Sequence, residues 1–269
     1  VPALNHTPFQ MYGGKWEMAP WIVEHLPRGQ TLVLTHGGSG SPLWHIEPPY
    51  PVEVYNDLDG GLVNFFRVCR DEPEALATLL LLTPYHRHEW RRARDDEPTG
   101  DQLENARRFA TVARQSMAGA WGRAWSSVIT HSRRGMASGN SRWLRLPETV
   151  LEIAARFSSV QIECMDACAL VRRYDRPGTV FYLDPPYHPN TRQPNVYHHE
   201  YTHEDHVVLL DALDGIKGRA VLSGYDCELY QERLRNWKRV EREVPCRSAV
   251  KNNGEVAART TRKEVLWIK

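Results

Sequence analysis

The strongest constraint in this chain is an apolar run that ends abruptly: Val180-Phe181-Tyr182-Leu183 is followed at once by Asp184-Pro185-Pro186-Tyr187. A short, continuously apolar run bounded by turn residues suits a strand buried on both faces. Neither proline can donate a ladder hydrogen bond, and each restricts the residue before it. The strand must therefore stop at Asp184, with the acceptors of the turn held nearly rigid. In an open α/β sheet, ligands bind beyond the carboxyl ends of the strands, which is where these four residues fall.

Similar runs at 31–34, 52–55, 160–163, 220–223 and 264–268 predict further strands, and helical patterns lie between them at 18–26, 62–70, 73–82, 149–157 and 203–213. That alternation predicts a largely parallel α/β sheet. The stretch 83–147 breaks the rhythm, with helix-compatible pieces and no convincing strand, and reads as an insertion in a body formed by 1–82 and 148–269. Asn252-Asn253-Gly254, between 244–250 and 256–262, predicts a hairpin and an antiparallel edge.

A chain of 269 residues has room for one large core plus a smaller module. No run approaches the roughly 20 apolar residues that span a bilayer, and the start lacks the pattern of a signal peptide. These features predict a cytoplasmic protein without a membrane partner, a monomer or weak dimer. Its five cysteines include no Cys-x-x-Cys pair and read as reduced thiols. Net charge is only +1, but 83–145 carries twelve arginines against six acidic residues, so this segment stands at +6 and the remainder at −5. Such asymmetry suits a body that does chemistry and a segment that follows phosphates, or an arginine-rich solvated helical surface; Arg87, Arg91, Arg92, Arg133, Arg134 and Arg142 are candidate phosphate or base contacts.

The chemistry of the Asp-Pro-Pro-Tyr turn fits attack by an aromatic amine. Such a nitrogen is a poor nucleophile because its lone pair is delocalised into the ring. Asp184 can accept one N–H and the Pro185 carbonyl the other, which draws the lone pair out of conjugation and aims it. Pro186 stiffens the turn, and Tyr187 offers a ring face to a flipped base or a sulfonium cation. Three further constellations fit a cofactor pocket. Tyr12-Gly13-Gly14-Lys15 allows close backbone approach beside a cation, and His36-Gly37-Gly38-Ser39 is a Gly-rich turn after a strand. Asn56-Asp57 places an acid after the next strand, where it can accept from ribose hydroxyls. His188, His198, His199, His203 and His206, with Arg192 and Tyr197, read as a loop closing over substrate; no metal site is expected.

On these motifs the chain resembles the Dam-type (D12 class) DNA adenine-N6 methyltransferases, most closely their phage-like members, over nearly its whole length. The likeness rests on Tyr12 to Lys15, Gly37-Gly38, Asn56 to Gly60, Asp184 to Tyr187, Leu222-Ser-Gly-Tyr225 and Glu264-Val-Leu-Trp267. It implies a class I (Rossmann-like) fold, S-adenosylmethionine as donor and adenine in double-stranded DNA as acceptor. It also implies target recognition by 83–147 and a place for Asp166 near the cofactor adenine. One departure stands out: the family's Glu-Pro-Phe before the glycines is Leu34-Thr35-His36 here. The rival readings are a catalytically weakened or silent DNA-binding relative, and the same chemistry on cytosine N4 or RNA adenine.

Overall fold

The protein is represented by a computed structural model, which describes residues 4, 6–9, 11, 13–117, 122–127, 135–191, 199–245 and 261–269. Its strands are β1 (Thr31–Leu34), β2 (Val52–Asn56), β3 (Val160–Glu163), β4 (Thr179–Leu183), β5 (Arg219–Gly224), β6 (Lys238–Pro245) and β7 (Thr261–Ile268). They form one seven-stranded sheet in the order β3-β2-β1-β4-β5-β7-β6. β1 to β5 pair in parallel, with Leu32 beside Val180 and Val33 beside Val54, while β7 runs antiparallel to both β5 and β6. From β1 the chain steps outward to β2 and β3, then returns to lay β4 on the other side of β1. The topological switch point therefore lies between β1 and β4, the position at which a doubly wound sheet opens a crevice.

The period-two alternation of each strand divides the core into two layers. Leu32, Leu34, Tyr55, Val180 and Tyr182 face one layer, closed by α2 (Gly60–Asp71), α3 (Pro73–Leu82) and α7 (Leu146–Phe157). Val33, Val54, Phe181 and Leu183 face the other, closed by α8 (Ala167–Tyr174) and α9 (His203–Leu213). α1 (Ala19–His25) adds Trp21 and Ile22 to the first layer, and α10 (Glu228–Arg233) adds Tyr230 to the second. No described helix is long and apolar enough to cross a membrane.

Among the described residues of 83–147 there are three helices, α4 (Arg87–Asp95), α5 (Gln102–Gln115) and α6 (Ser138–Leu144), and no strand beyond an isolated bridge between Ser116 and Trp125. α5 is built into the first core layer, where Phe109 stacks on Phe65 with ring centroids 5.4 Å apart. α7 begins three residues before the expected position, because Pro147 is tolerated in a first helical turn. β6 begins earlier than expected and is a charged edge strand, which hides its period from an apolar pattern. The Asn252-Asn253-Gly254 turn and Cys246 lie outside the described residues, although the two strands flanking that segment do pair antiparallel.

Candidate active site

A cavity of about 510 Å³ opens at the carboxyl ends of β1 to β4, over the switch point. Its wall combines Gly13 to Lys15, the turn from Thr35 to Ser39, Asp57 to Asp59 after β2, Met165 to Cys168 after β3, and Asp184 to Pro186 after β4. The buried Asn56 amide ties these turns together. Its Nδ2 donates to the carbonyls of Thr35 (2.8 Å) and Met165 (3.0 Å), and its Oδ1 accepts from the Met165 N–H (3.0 Å).

The two glycines of the turn have different causes. A Cβ on Gly37 would lie 2.2 Å from the Tyr55 ring, so only glycine lets the turn lie flat on that side chain. Gly38 takes φ +50°, and nothing lies within 4 Å of where its Cβ would be. The Gly38 N–H donates to Asp57 Oδ2 at 2.9 Å, and the Asp59 N–H donates to Oδ1 at 3.0 Å. Burial nevertheless raises the Asp57 carboxyl above its ordinary range, against those two hydrogen bonds. Each oxygen keeps a lone pair for a further donor. Asp166, across the cavity, caps α8 by accepting from the Ala169 N–H at 2.9 Å. Ser39 is buried and bonded to Ser41 at 2.8 Å.

Where the resembled family carries phenylalanine, His36 sits in a relay. Thr35 Oγ1 donates to the Tyr182 carbonyl (3.2 Å), which leaves it to accept from His36 Nδ1–H (2.8 Å). His36 Nε2 then accepts from the Tyr201 hydroxyl at 2.9 Å, so the hydrogen-bond pattern assigns one tautomer. Burial, with the neighbouring His206 second, lowers the imidazole to about 3. His36 is therefore a neutral aromatic ring at any ordinary pH, set edge-on to Tyr201 at 5.5 Å. Tyr201 gives no signal in the sequence, since the contact joins residues 165 positions apart.

The turn after β4 is held by charge. Lys15 Nζ lies 3.0 Å from Asp184 Oδ1 and donates to the Gly13 carbonyl at 3.0 Å. Ser223 Oγ, at the end of β5, donates to the same Oδ1 at 2.8 Å. Both supports therefore grip one carboxylate oxygen, and no described group bonds Oδ2. Behind this pair, Glu264 of β7 accepts from the Tyr187 hydroxyl and lies 3.6 Å from Lys15 Nζ. Burial raises the Glu264 carboxyl to about 7; Lys15 pulls it down, and Asp184 adds to the rise.

Tyr187 does not present the open face expected of it. It is 6% exposed, its ring carries Lys15 Nζ 4.6 Å from the centroid, Tyr225 meets it nearly perpendicular at 4.6 Å, and it does not line the cavity. Lys15 likewise meets protein carboxylates. Ser223 and Glu264 belong to stretches singled out in the sequence, but no local pattern assigns them to Asp184 and Lys15.

Of the candidate DNA contacts, Arg87, Arg91 and Arg92 are exposed on α4 and Arg142 on α6. Arg87 lies over the Trp125 ring at 4.9 Å, and Arg92 pairs with Asp96 at 3.7 Å. None of these four lines the cavity. Tyr12, Arg133, Arg134, Arg192, Tyr197 and His198 lie outside the described residues. His203 and His206 belong to α9, and His188 packs against both; among the described residues no group of three or more side chains is placed to hold a metal ion.

The fold is a Rossmann-like α/β sheet whose cavity gathers the turns after β1, β2, β3 and β4 at its carboxyl edge. The sequence narrows that class. A profile of the D12 class N6 adenine-specific DNA methyltransferases matches residues 12–244, and the chain belongs to this family, whose methyl donor is S-adenosylmethionine. No curated protein sequence matches the chain. Among solved structures, it is similar to a Thermoplasma acidophilum protein at 7% identity and TM-score 0.39, over 96% of this chain and 86% of that one. It is also similar to a SAM-dependent methyltransferase from Agrobacterium tumefaciens at 13% identity and TM-score 0.39, over 94% of this chain and 59% of that one.

Proposed function

We propose that this protein transfers a methyl group to the N6 amine of an adenine flipped out of duplex DNA, with the cavity holding S-adenosylmethionine and Asp184 and Pro185 holding the amine. The observation that carries the reading is the Asp184 carboxylate: two donors fix its Oδ1, no described group bonds its Oδ2, and it stands on the wall shared with the glycine turn and Asp57.

The residues fit the cofactor. Gly38 leaves room for close approach, Asp57 has acceptor capacity for ribose hydroxyls, and Asp166 faces the same space from the end of β3. Among the described residues, carboxylates outnumber cations around the cavity, which suits a positively charged ligand. In place of the family's phenylalanine, neutral His36 offers an aromatic ring without adding charge. When bound, S-adenosylmethionine supplies an electrophilic methyl group on a sulfonium.

The protein's own part is orientation. Asp184 Oδ2 accepts one N–H of the adenine amine and the Pro185 carbonyl accepts the other, which pyramidalises the nitrogen and aims its lone pair. Pro186 removes backbone freedom from those acceptors. Lys15 and Ser223 hold Asp184 in place, and Tyr187, through Glu264 and its contact with Lys15, braces that support from behind. The surplus proton leaves after attack, so no strong base is needed and no covalent enzyme intermediate forms. The exposed arginines of 83–147 are the proposed contacts to DNA, and this segment the proposed reader of the target.

The test is Asp184→Ala, with Asp184→Asn as the shape-preserving partner. Turnover should fall by about 10²–10³-fold or more, as when a fixed electrostatic partner of a transition state is removed. Calorimetric titration should show S-adenosylmethionine binding largely intact. Retained turnover in either variant would remove the orientation mechanism.

A further inference from the structure

Away from the cavity, a second concavity of about 180 Å³ is lined by Arg114, Arg142, Arg145, His6 and Thr7. Three arginines meet there, and among the described residues no acid lines the wall to balance them. Arg114 Nε and Nη2 are sealed from solvent and bond to nothing among the described residues. This separates Arg114 from its neighbours on α5, since Arg107 and Arg108 are paired with Glu104, and Arg107 also with Glu89. Glu152, on α7, is near enough to feel the charge of Arg145, yet among the described residues no ion pair joins it to any of the three arginines. Burial, then Arg142 and Arg145, lowers the Arg114 guanidinium to about 10, so the protein holds this charge against a desolvation penalty. A buried cation with open donors among further cations is the arrangement a doubly charged or delocalised oxyanion would relieve.

The topology sets this concavity at the same end of the molecule as the catalytic cavity. α7 descends into β3, so its start beside Arg145 lies at the level of the carboxyl ends of the strands. α5 rises past Gly61, in the first turn of α2, where Phe109 approaches it, and Arg114 is five residues, or about 7.5 Å, further up. Thr7, on the wall of the concavity, is eight residues before Lys15, which bounds the separation of the two sites at about 28 Å. That span is at most about eight base-pair rises along the axis of a duplex.

We propose that Arg114, Arg142 and Arg145 form a phosphate pocket that takes a backbone phosphodiester of the DNA close to the target base. The inference rests on the reading of duplex DNA as substrate and deepens it. The sequence offers Arg142 as one exposed contact among several; the fold makes it part of a built receptor whose centre, Arg114, is half-buried on a helix whose other two arginines are paired. The exposed forks of Arg142 and Arg145 suit two oxygens of one phosphodiester, and Arg114 adds its charge behind them. The methyl donor carries no phosphate, which leaves the DNA backbone as the phosphate the reaction itself brings.

The experiment is fluorescence-anisotropy binding of a short unmethylated duplex across a series of salt concentrations, with the wild type, R142A/R145A, R114Q and R114K. S-adenosylmethionine titration and thermal melting of each protein run alongside. Because Arg114 Nε and Nη2 are sealed from solvent, R114K keeps the charge as a folding control, while the exposed pair R142A/R145A carries the test independently. The expected result is weaker binding in R142A/R145A and R114Q, with the slope of log K against log salt shallower by about one for each phosphate no longer neutralised. Cofactor binding should be unchanged. Wild-type slope and affinity in folded R142A/R145A would overturn the proposal while leaving the proposed function standing. So would stabilisation of the wild type by inorganic phosphate that R114Q abolishes, if the DNA slopes stay equal, since the pocket would then serve a free anion. A wild type that binds no duplex at all would overturn both.

Discussion

Glu264 is a carboxyl held at about 7, because its burial outweighs the pull of the Lys15 ammonium and Asp184 adds to the rise. A carboxyl raised in the folded state contributes stability that is fully present below its ordinary 4.5 and is lost as pH rises through 7. Thermal melts across that window should therefore show the wild type losing stability toward pH 7, and Glu264→Gln should flatten this part of the profile. An identical profile in E264Q would show that the slope comes from other groups. The same residue marks what the sequence can tell at this scale. Asp184, Lys15, Gly37 and Asp57 are legible because each sits in a short motif at the end of an element. The partners that give them their geometry, Ser223 and Glu264 on later strands and Tyr201 beyond β4, come from distant parts of the chain.

At the scale of elements, β2 is pinned to α7 by an ion pair inside the body. Glu53 is 2% exposed and meets the Arg156 guanidinium at 2.6 and 2.9 Å, while Arg156 Nε donates to the Leu43 carbonyl at 2.9 Å. Removing one partner leaves a buried charge uncompensated, so Glu53→Ala should destabilise the fold by about 3–5 kcal/mol in denaturant titration. A change under about 1 kcal/mol would place this pair with exposed ion pairs that contribute little. Apolar runs announce the parallel strands, and turn chemistry fixes where they stop. β6 is harder to see, because Lys238, Arg239, Glu241, Arg242 and Glu243 give it the charged surface of an edge strand and Lys263 of β7 pairs with Glu241 at 3.0 Å. α8 escapes a pattern search through its brevity, although Asp166, singled out for another reason, is its cap.

The whole molecule is organised by the switch between β1 and β4. Returning the chain to β4 brings the turns after β1, β2, β3 and β4 to one opening, and it sets the Lys15–Asp184 pair beside the glycine turn. The helices of 83–147 are anchored through α5 in the same core and carry their exposed arginines outside the cavity. Charge asymmetry in the sequence indicates that this segment differs from the body, but not which arginines are engaged by Glu89, Asp95 and Glu104 and which remain open. The most direct test of the proposed chemistry is transfer of radiolabelled methyl from S-adenosylmethionine to unmethylated duplex DNA, followed by digestion to nucleosides. Label should appear in N6-methyladenine; label in N4-methylcytosine, or none from folded protein that binds the cofactor, would contradict methyl transfer to adenine.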